Sequence, residues 1–383
     1  MTNRVGDQSD SGPAARDLRL DLFRGAANWA IFVDHIPNNA VAWLTMKNYG
    51  FSDAADLFVF ISGYTATFVY SRYMRARGFL VGASLLFGRV WQIYVAYVLL
   101  FVAYVAAIGY VAQAHDHSHL LDEFNVRYLI DDPIETLKHG LLLEFKPLNL
   151  DVLPLYIALM AVFPPALWAV IRHPTAALLA SLALYVAART FGWNLSSYPA
   201  GSWYFNPFAW QFLFMIGAWA ASGGALRILP ALRSRGVIMA AFAYLAVSLA
   251  IVMAARFPQF GSLLPTPLSN FSNDKTNLAP YRIAHFLALA LIVVRFLPEH
   301  WLGLRSPLLR PMIICGKRSL EVFCVGVFLS FVGHFVIELV SDSIPFQILV
   351  SVAGIAVMTA VAYYRTWTKD LRSVSPSKRM STA

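Results

Sequence analysis

Ten stretches of this chain are apolar over about the length that a lipid bilayer asks of a helix. They cover residues 20–43, 53–71, 82–112, 149–171, 175–193, 204–222, 236–255, 279–298, 313–339 and 345–366. A hydrocarbon core of about 30 Å needs about 20 such residues. Inside it every backbone N–H and C=O must be satisfied within the protein, so a spanning segment of this kind is an α-helix. The pattern predicts an all-α, polytopic integral membrane bundle of about ten transmembrane helices. Composition agrees: 58% of the 383 residues are hydrophobic and 13% are charged, where soluble domains carry about 25% charged residues. A disordered chain, a disulfide scaffold and a secreted soluble enzyme are excluded. Cys315 and Cys324 fall on opposite faces of a helix-like run, so no disulfide is expected between them. Residues 1–17 are polar and lack the shape of a cleavable signal. They form the expected cytoplasmic N-terminal tail. Residues 18–366 make the membrane domain, and 367–383 a basic cytoplasmic tail.

The distribution of charge gives an orientation. With the N-terminus inside, the inner segments hold 21 basic residues and the outer ones 7. The positive-inside rule then favours an N-in, C-in arrangement. The net charge of +9 is therefore mostly a topology signal, and no nucleic-acid partner is expected. The outer loop at about 113–132 is acidic and runs into an amphipathic helix over 133–147. A second outer loop lies at about 256–278. Together they frame an outward mouth.

A charged side chain at mid-bilayer costs about 2.5–3.5 kcal/mol on insertion scales and usually marks function. Arg24, Asp34, His35, Asp56, Asp151, Arg282, His285, Glu321 and His334 fall within or at the ends of spans. The densest group is on the first span. Arg24 and His35 share a helix face about 16 Å apart along the axis, with Asn28 and Ile31 between them. A cation near the inner end and an imidazole in the outer half outline a lined path. The cation would hold an anionic group, and His35 would act as general base. A membrane histidine bonded to a neighbouring carbonyl is the plainer reading of His35. Asp34 could orient His35 only if the helix distorts, which Pro37 favours; Asp56, in the same leaflet, is the other candidate.

Further polar residues extend the path. Ser62-Gly63 reads either as close helix packing or as part of the site. Arg72 and Arg89, with Arg75 and Arg77, set topology or clamp a phosphate. Asp151 and Tyr156 open the fourth span, and Asn206, Trp210 and Gln211 the sixth. Arg282 and His285 enter the eighth, all from outside. Aromatic rings and amides at such a mouth suit a sugar, although Trp and Tyr also form interfacial belts. Ser319 and Glu321 sit near the inner start of the ninth span. The His115-Asp-His117-Ser-His119 tract lacks helix spacing, and no metal site is expected.

These motifs resemble a known superfamily. Leu20-Asp-Leu-Phe-Arg24-Gly25 followed by His35 is similar to the first span of the acyltransferase-three membrane acyltransferases. Leu57-Phe-Val-Phe-Ile-Ser62-Gly63-Tyr64 resembles their second span. Arg89-Val-Trp-Gln-Ile-Tyr94 resembles the start of their third, with one Arg of two and no Pro. Asp151-Val-Leu-Pro-Leu-Tyr156, Phe205-Asn-Pro-Phe-Ala-Trp-Gln211 and Ser319-Leu-Glu-Val-Phe-Cys324 resemble the OpgC branch, from about residue 16 onward. The resemblance implies a succinyl-CoA-dependent O-succinyltransferase of the bacterial inner membrane, acting on osmoregulated periplasmic β-glucans. The donor would be a co-substrate, with no permanently bound cofactor. Arg24, Arg72, Arg89, Ser62 and Ser319 would lie on the donor side, and His35, Asp34 and Asp56 at the chemistry. Asp151, Tyr156, Asn206, Trp210, Gln211, Arg282, His285 and Glu321 would meet the acceptor or acyl group. Arg282 is the expected cation for succinate. The alternative is a glycan or organic-anion transporter with His35 in a proton relay; against it, no inverted repeat is detected.

Overall fold

A computed structural model describes residues 17–114, 119–257, 259 and 273–374. The ends of both expected tails, most of the outer loop 256–278 and His115 to Ser118 lie outside the described residues. Fifteen α-helices are labelled among the described residues. They are α1 Leu18–Asp34, α2 Ala54–Arg77, α3 Phe79–Ala114, α4 His119–Glu123, α5 Tyr128–Asp131, α6 Pro133–Leu141, α7 Val152–Arg172, α8 Pro174–Phe191, α9 Pro207–Ala221, α10 Gly224–Leu232, α11 Arg235–Arg256, α12 Pro280–Phe296, α13 Arg310–Lys317, α14 Ser319–Val340 and α15 Ile344–Val374. The described residues include no strand, only an isolated bridge between Ser196 and Ser202. The chain is an all-helical, multi-pass membrane protein.

Among the described residues six helices (α3, α7, α8, α11, α14 and α15) are long and apolar enough to cross a membrane, or seven spans if α9 and α10 count as one bent unit. The expected ten exceed this for a physical reason. Helices α1 and α12 have 17 residues each, and α2 is long but interrupted by polar side chains. These three carry Arg24, Asp34, Asp56, Arg282 and His285. In α1 and α2 the residues that lower hydropathy are among those that compose the polar interior, whereas α12 falls short in length alone.

Two expected runs end or break earlier than their apolarity suggests. The first was expected to run to residue 43, but α1 stops at Asp34. Pro37 removes a backbone donor and biases Ile36 away from the helical region, and Asn38 turns left-handed with φ 55°. Asn39 then caps a short 3₁₀ turn by accepting from the Val41 N–H at 3.0 Å. The run 313–339 is split at Arg318, which leaves Cys315 and Cys324 on different helices, both as free thiols. The sixth run, 204–222, ends with α9 as expected, and beyond it the chain bends by 89° into α10 at Gly223, whose φ of 90° an L side chain rarely adopts. The amphipathic helix expected over 133–147 spans only α6.

Small residues let the inner helices touch. A Cβ on Gly63 of α2 would lie 1.9 Å from the Phe214 carbonyl oxygen of α9, and one on Gly217 of α9 would lie 2.2 Å from that of Phe60. Gly25 of α1 and Gly316 of α13 face Met312 and Asp21 backbone in the same way. Lipid gives helices no hydrophobic drive to associate, so such close approach supplies the dispersion contacts instead. The outer helices α8, α11 and α15 leave Leu179, Val186, Phe242, Val247, Ile348 and Val352 exposed. That apolar surface suits acyl chains.

Candidate active site

At one end of the bundle the segments 31–55, 125, 146–152, 197–205 and 275 enclose a cavity of about 490 Å³. This is within the range of small-molecule sites. Its wall holds seven ionisable groups that matter here: Asp34, His35, Lys47, Asp53, Lys146, Asp151 and Lys275.

His35 follows α1 directly. Its N–H donates to the Ile31 carbonyl at 3.0 Å, so its backbone still winds with the helix. Its own carbonyl accepts from Asn149 Nδ2 at 3.4 Å. Ring atom Nδ1 is buried and has no hydrogen-bond partner among the described residues. Neither carboxylate considered as its orienter bonds the ring. Asp34 accepts from Thr45 Oγ1 at 2.6 Å and pairs with Lys47 at 3.3 Å. Neighbouring helix residues point apart, and the end of α1 does not change that. Asp56 accepts from Arg282 at 2.6 Å and from the Asp53 N–H at 2.8 Å, closing a capping box at the start of α2.

Asp56, Arg282, Asp53 and Lys275 form one chain of charges. Arg282 Nη2 lies 3.2 Å from Asp53, which lies 2.7 Å from Lys275 Nζ. Burial pulls Lys275 down, but Asp53 and its hydrogen bond hold it above the usual lysine range. Arg282, expected to meet the acyl group, is 2% exposed and already holds two carboxylates. His285 accepts from or donates to Ser52 Oγ at 2.7 Å through Nδ1 and packs on Phe51, pinning the loop before α2.

The amides and rings expected at the mouth lie behind its wall. Asn206 Nδ2 donates to the Trp193 carbonyl at 2.7 Å and to Asn277 Oδ1 at 3.0 Å. Trp210 Nε1 donates to the Lys275 carbonyl at 3.0 Å. These two hold the turn that carries Lys275. Gln211 is bonded to Ser181 at 2.6 Å, and Tyr156 packs edge-on against Phe58. Of the expected acceptor residues, Asp151 reaches the cavity wall.

The donor-side residues are spread along α2 and its neighbours. Arg24 donates to Thr65 Oγ1 and to the Ile61 carbonyl, beside buried Ser62. Thr65 and Arg72 are two turns apart on nearly one face of α2, about 10 Å along its axis. Arg72 stacks 4.4 Å over Phe68 and, with Arg77 and Tyr73, lines a second cavity of about 420 Å³. Arg89 bonds Gln92 on α3. Asn28 donates to Ser319 Oγ at 3.2 Å, and Glu321 pairs with Arg365 at 3.4 Å. The structure thus brings Arg24 near the α2 route to Arg72 but does not gather the three arginines into one cluster. His334 pairs with Glu123 at 3.2 Å and His119 with Glu338 at 2.8 Å. No group of three or more metal-ligating side chains occurs among the described residues.

Lys47, Asp53, Lys146 and Lys275 were not among the expected site residues. By sequence alone the three lysines are outer charges of the topology pattern. The signal available was their place: each lies beside a span end that carries a candidate residue. Burial pushes Lys146 down to about 8, with Asp151 and Glu144 opposing.

These features define a membrane-embedded helical protein with a small-molecule-sized, mixed-charge cavity whose wall includes a histidine at the end of a short helix. The chain belongs to the OpgC family, whose model, described as OpgC protein, matches residues 16–370. This agrees with the resemblance carried by the motifs. No curated protein and no solved structure matches the chain.

Proposed function

We propose that this chain is a membrane O-acyltransferase that moves a succinyl group from cytoplasmic succinyl-CoA to a hydroxyl of an osmoregulated periplasmic glucan. The observation that carries this reading is His35, a base whose Nδ1 is not committed to the scaffold, in the wall of a cavity large enough for an acyl group and part of a sugar. Family membership supports the glucan acceptor and the acyl transfer. In this reading His35 takes the proton of the attacking hydroxyl as its oxygen adds to the thioester carbonyl carbon. The new ester C–O bond forms, the C–S bond breaks, and the proton passes to the departing CoA sulfur. Proximity of the two reactants in one cavity supplies much of the remaining rate.

Sidedness is part of the proposal. The segments that form the cavity, near residues 34–53, 125, 146–152, 197–205 and 275, are those whose low content of basic residues assigns them outside. The opposite end joins inner segments to one another: Arg19 with Glu299, and Arg365 with Glu321. We place the cavity in the periplasmic half of the bacterial inner membrane, ten spans with both termini inside. The CoA phosphates would lie near Arg24, Arg72 or Arg89. Replacing His35 by Ala tests the chemistry in cells. Periplasmic glucan should persist in normal amount without succinyl esters. Succinylation that survives removes His35 from its role, and loss of the glucan itself supports export instead.

A further inference from the structure

The cations around the cavity differ in what already neutralises them. Lys47 is paired with Asp34 at 3.3 Å and Lys275 with Asp53 at 2.7 Å, while Arg282 shares Asp53 and Asp56. Lys146 is buried at 7% exposure and lines the same cavity, yet no carboxylate among the described residues lies within ion-pair distance of it. Its Nζ reaches the carbonyls of Leu143 at 3.1 Å and Glu144 at 3.4 Å, and it stands 4.2 Å over the Trp203 ring. An ammonium has three donors; two are occupied, and one remains.

The loop that carries Lys146 is built with care. Leu143 and Asn149 both hold positive φ, 66° and 73°, a costly conformation for a leucine that persists where surroundings enforce it. Asn125 Nδ2 donates to the Lys146 carbonyl at 3.1 Å, and Asn149 ties the same loop to the His35 carbonyl. The ammonium and the imidazole therefore line one pocket, and three residues along the chain from Lys146 the Asn149 side chain ties its loop to the His35 backbone.

We propose that Lys146 receives the distal carboxylate of the acyl chain and so selects a dicarboxylic acyl group over a neutral one, an inference that rests on the acyl-transfer reading above. A buried cation with no carboxylate in ion-pair contact, Asp151 and Glu144 acting on Lys146 only from farther away, gains most from a ligand that brings one. Burial has already shifted Lys146 toward the neutral form, and a carboxylate beside it reverses that shift. A neutral acyl group of the same length makes no such gain, so the discrimination is a difference between two donors.

The test compares succinyl-CoA with butyryl-CoA, four carbons each, using purified protein in detergent and a β-glucan oligosaccharide as acceptor. For Lys146→Met, the ratio of kcat/KM for the two donors should fall about 30-fold or more, the size expected for truncating one partner of a buried charge pair. Lys146→Gln is the second variant should the first not fold, and Lys146→Arg should keep most of the preference. Equal falls with both donors would make Lys146 a scaffold residue and overturn the proposal, as would a wild-type protein with no preference. A wild-type protein that transfers no acyl group at all refutes the acyl-transfer reading itself, and that result is visible before any variant is made.

Discussion

At the scale of single residues, the site is governed by which charges are already satisfied. Asp56 and Arg282 are both almost wholly buried and bonded at 2.6 Å. Removing Asp56 leaves the buried Arg282 with Asp53 alone, its weaker partner at 3.2 Å, and breaking a buried pair costs up to about 3–5 kcal/mol. Asp56→Ala should therefore lower the unfolding temperature in detergent markedly, and a companion Arg282→Met should recover part of the loss. An unchanged unfolding temperature with lost transfer would instead make Asp56 a partner in the chemistry. Sequence alone marked both residues as out of place in a membrane, but it could not say that they would spend their charge on each other. The pairing joins residues 226 positions apart, and no local pattern encodes that. Lys146 shows the converse. It looked ordinary because it lies in a loop, and only the fold turns that loop inward.

Among the elements, α1 and α2 were the most legible. Their motifs, the Arg24-to-His35 spacing and the Ser62-Gly63 pair, announced an inner helix pair, and α2 does lie against α9 across Gly63 and Gly217. The position of a helix end was less legible, because hydropathy continues past Asp34 while backbone geometry does not. Gly63→Ala places a methyl carbon where the Phe214 carbonyl oxygen already stands. Overpacking of this kind costs about 1–3 kcal/mol. The variant should show reduced yield and a lower unfolding temperature, whereas Gly88→Ala, with nothing within 4 Å of the added carbon, should not. Similar losses in both would mean that the α2–α9 approach is not what sets stability here.

For the whole molecule, the bundle class was readable from composition, since so few charges leave little choice. Span number was harder to read, because α1 and α12 are short and the polar side chains of α1 and α2 lower their hydropathy. Cysteine labelling in intact cells checks the proposed orientation. A single cysteine at Asn125, with Cys315 and Cys324 removed, should react with an impermeant maleimide, and one at Lys369 should react only after the membrane is opened. The reverse pattern would invert the protein. With α1 starting at the cytoplasmic face, as proposed, its 17 residues rise about 25 Å, less than the hydrocarbon thickness of about 30 Å. His35 is thus held short of the far surface by the stop at Asp34. On the proposed reading, an acyl group handed over at His35 would not have to cross the full bilayer, and the acceptor would reach down into the bundle to meet it, so that the fixed fold itself would shorten the crossing.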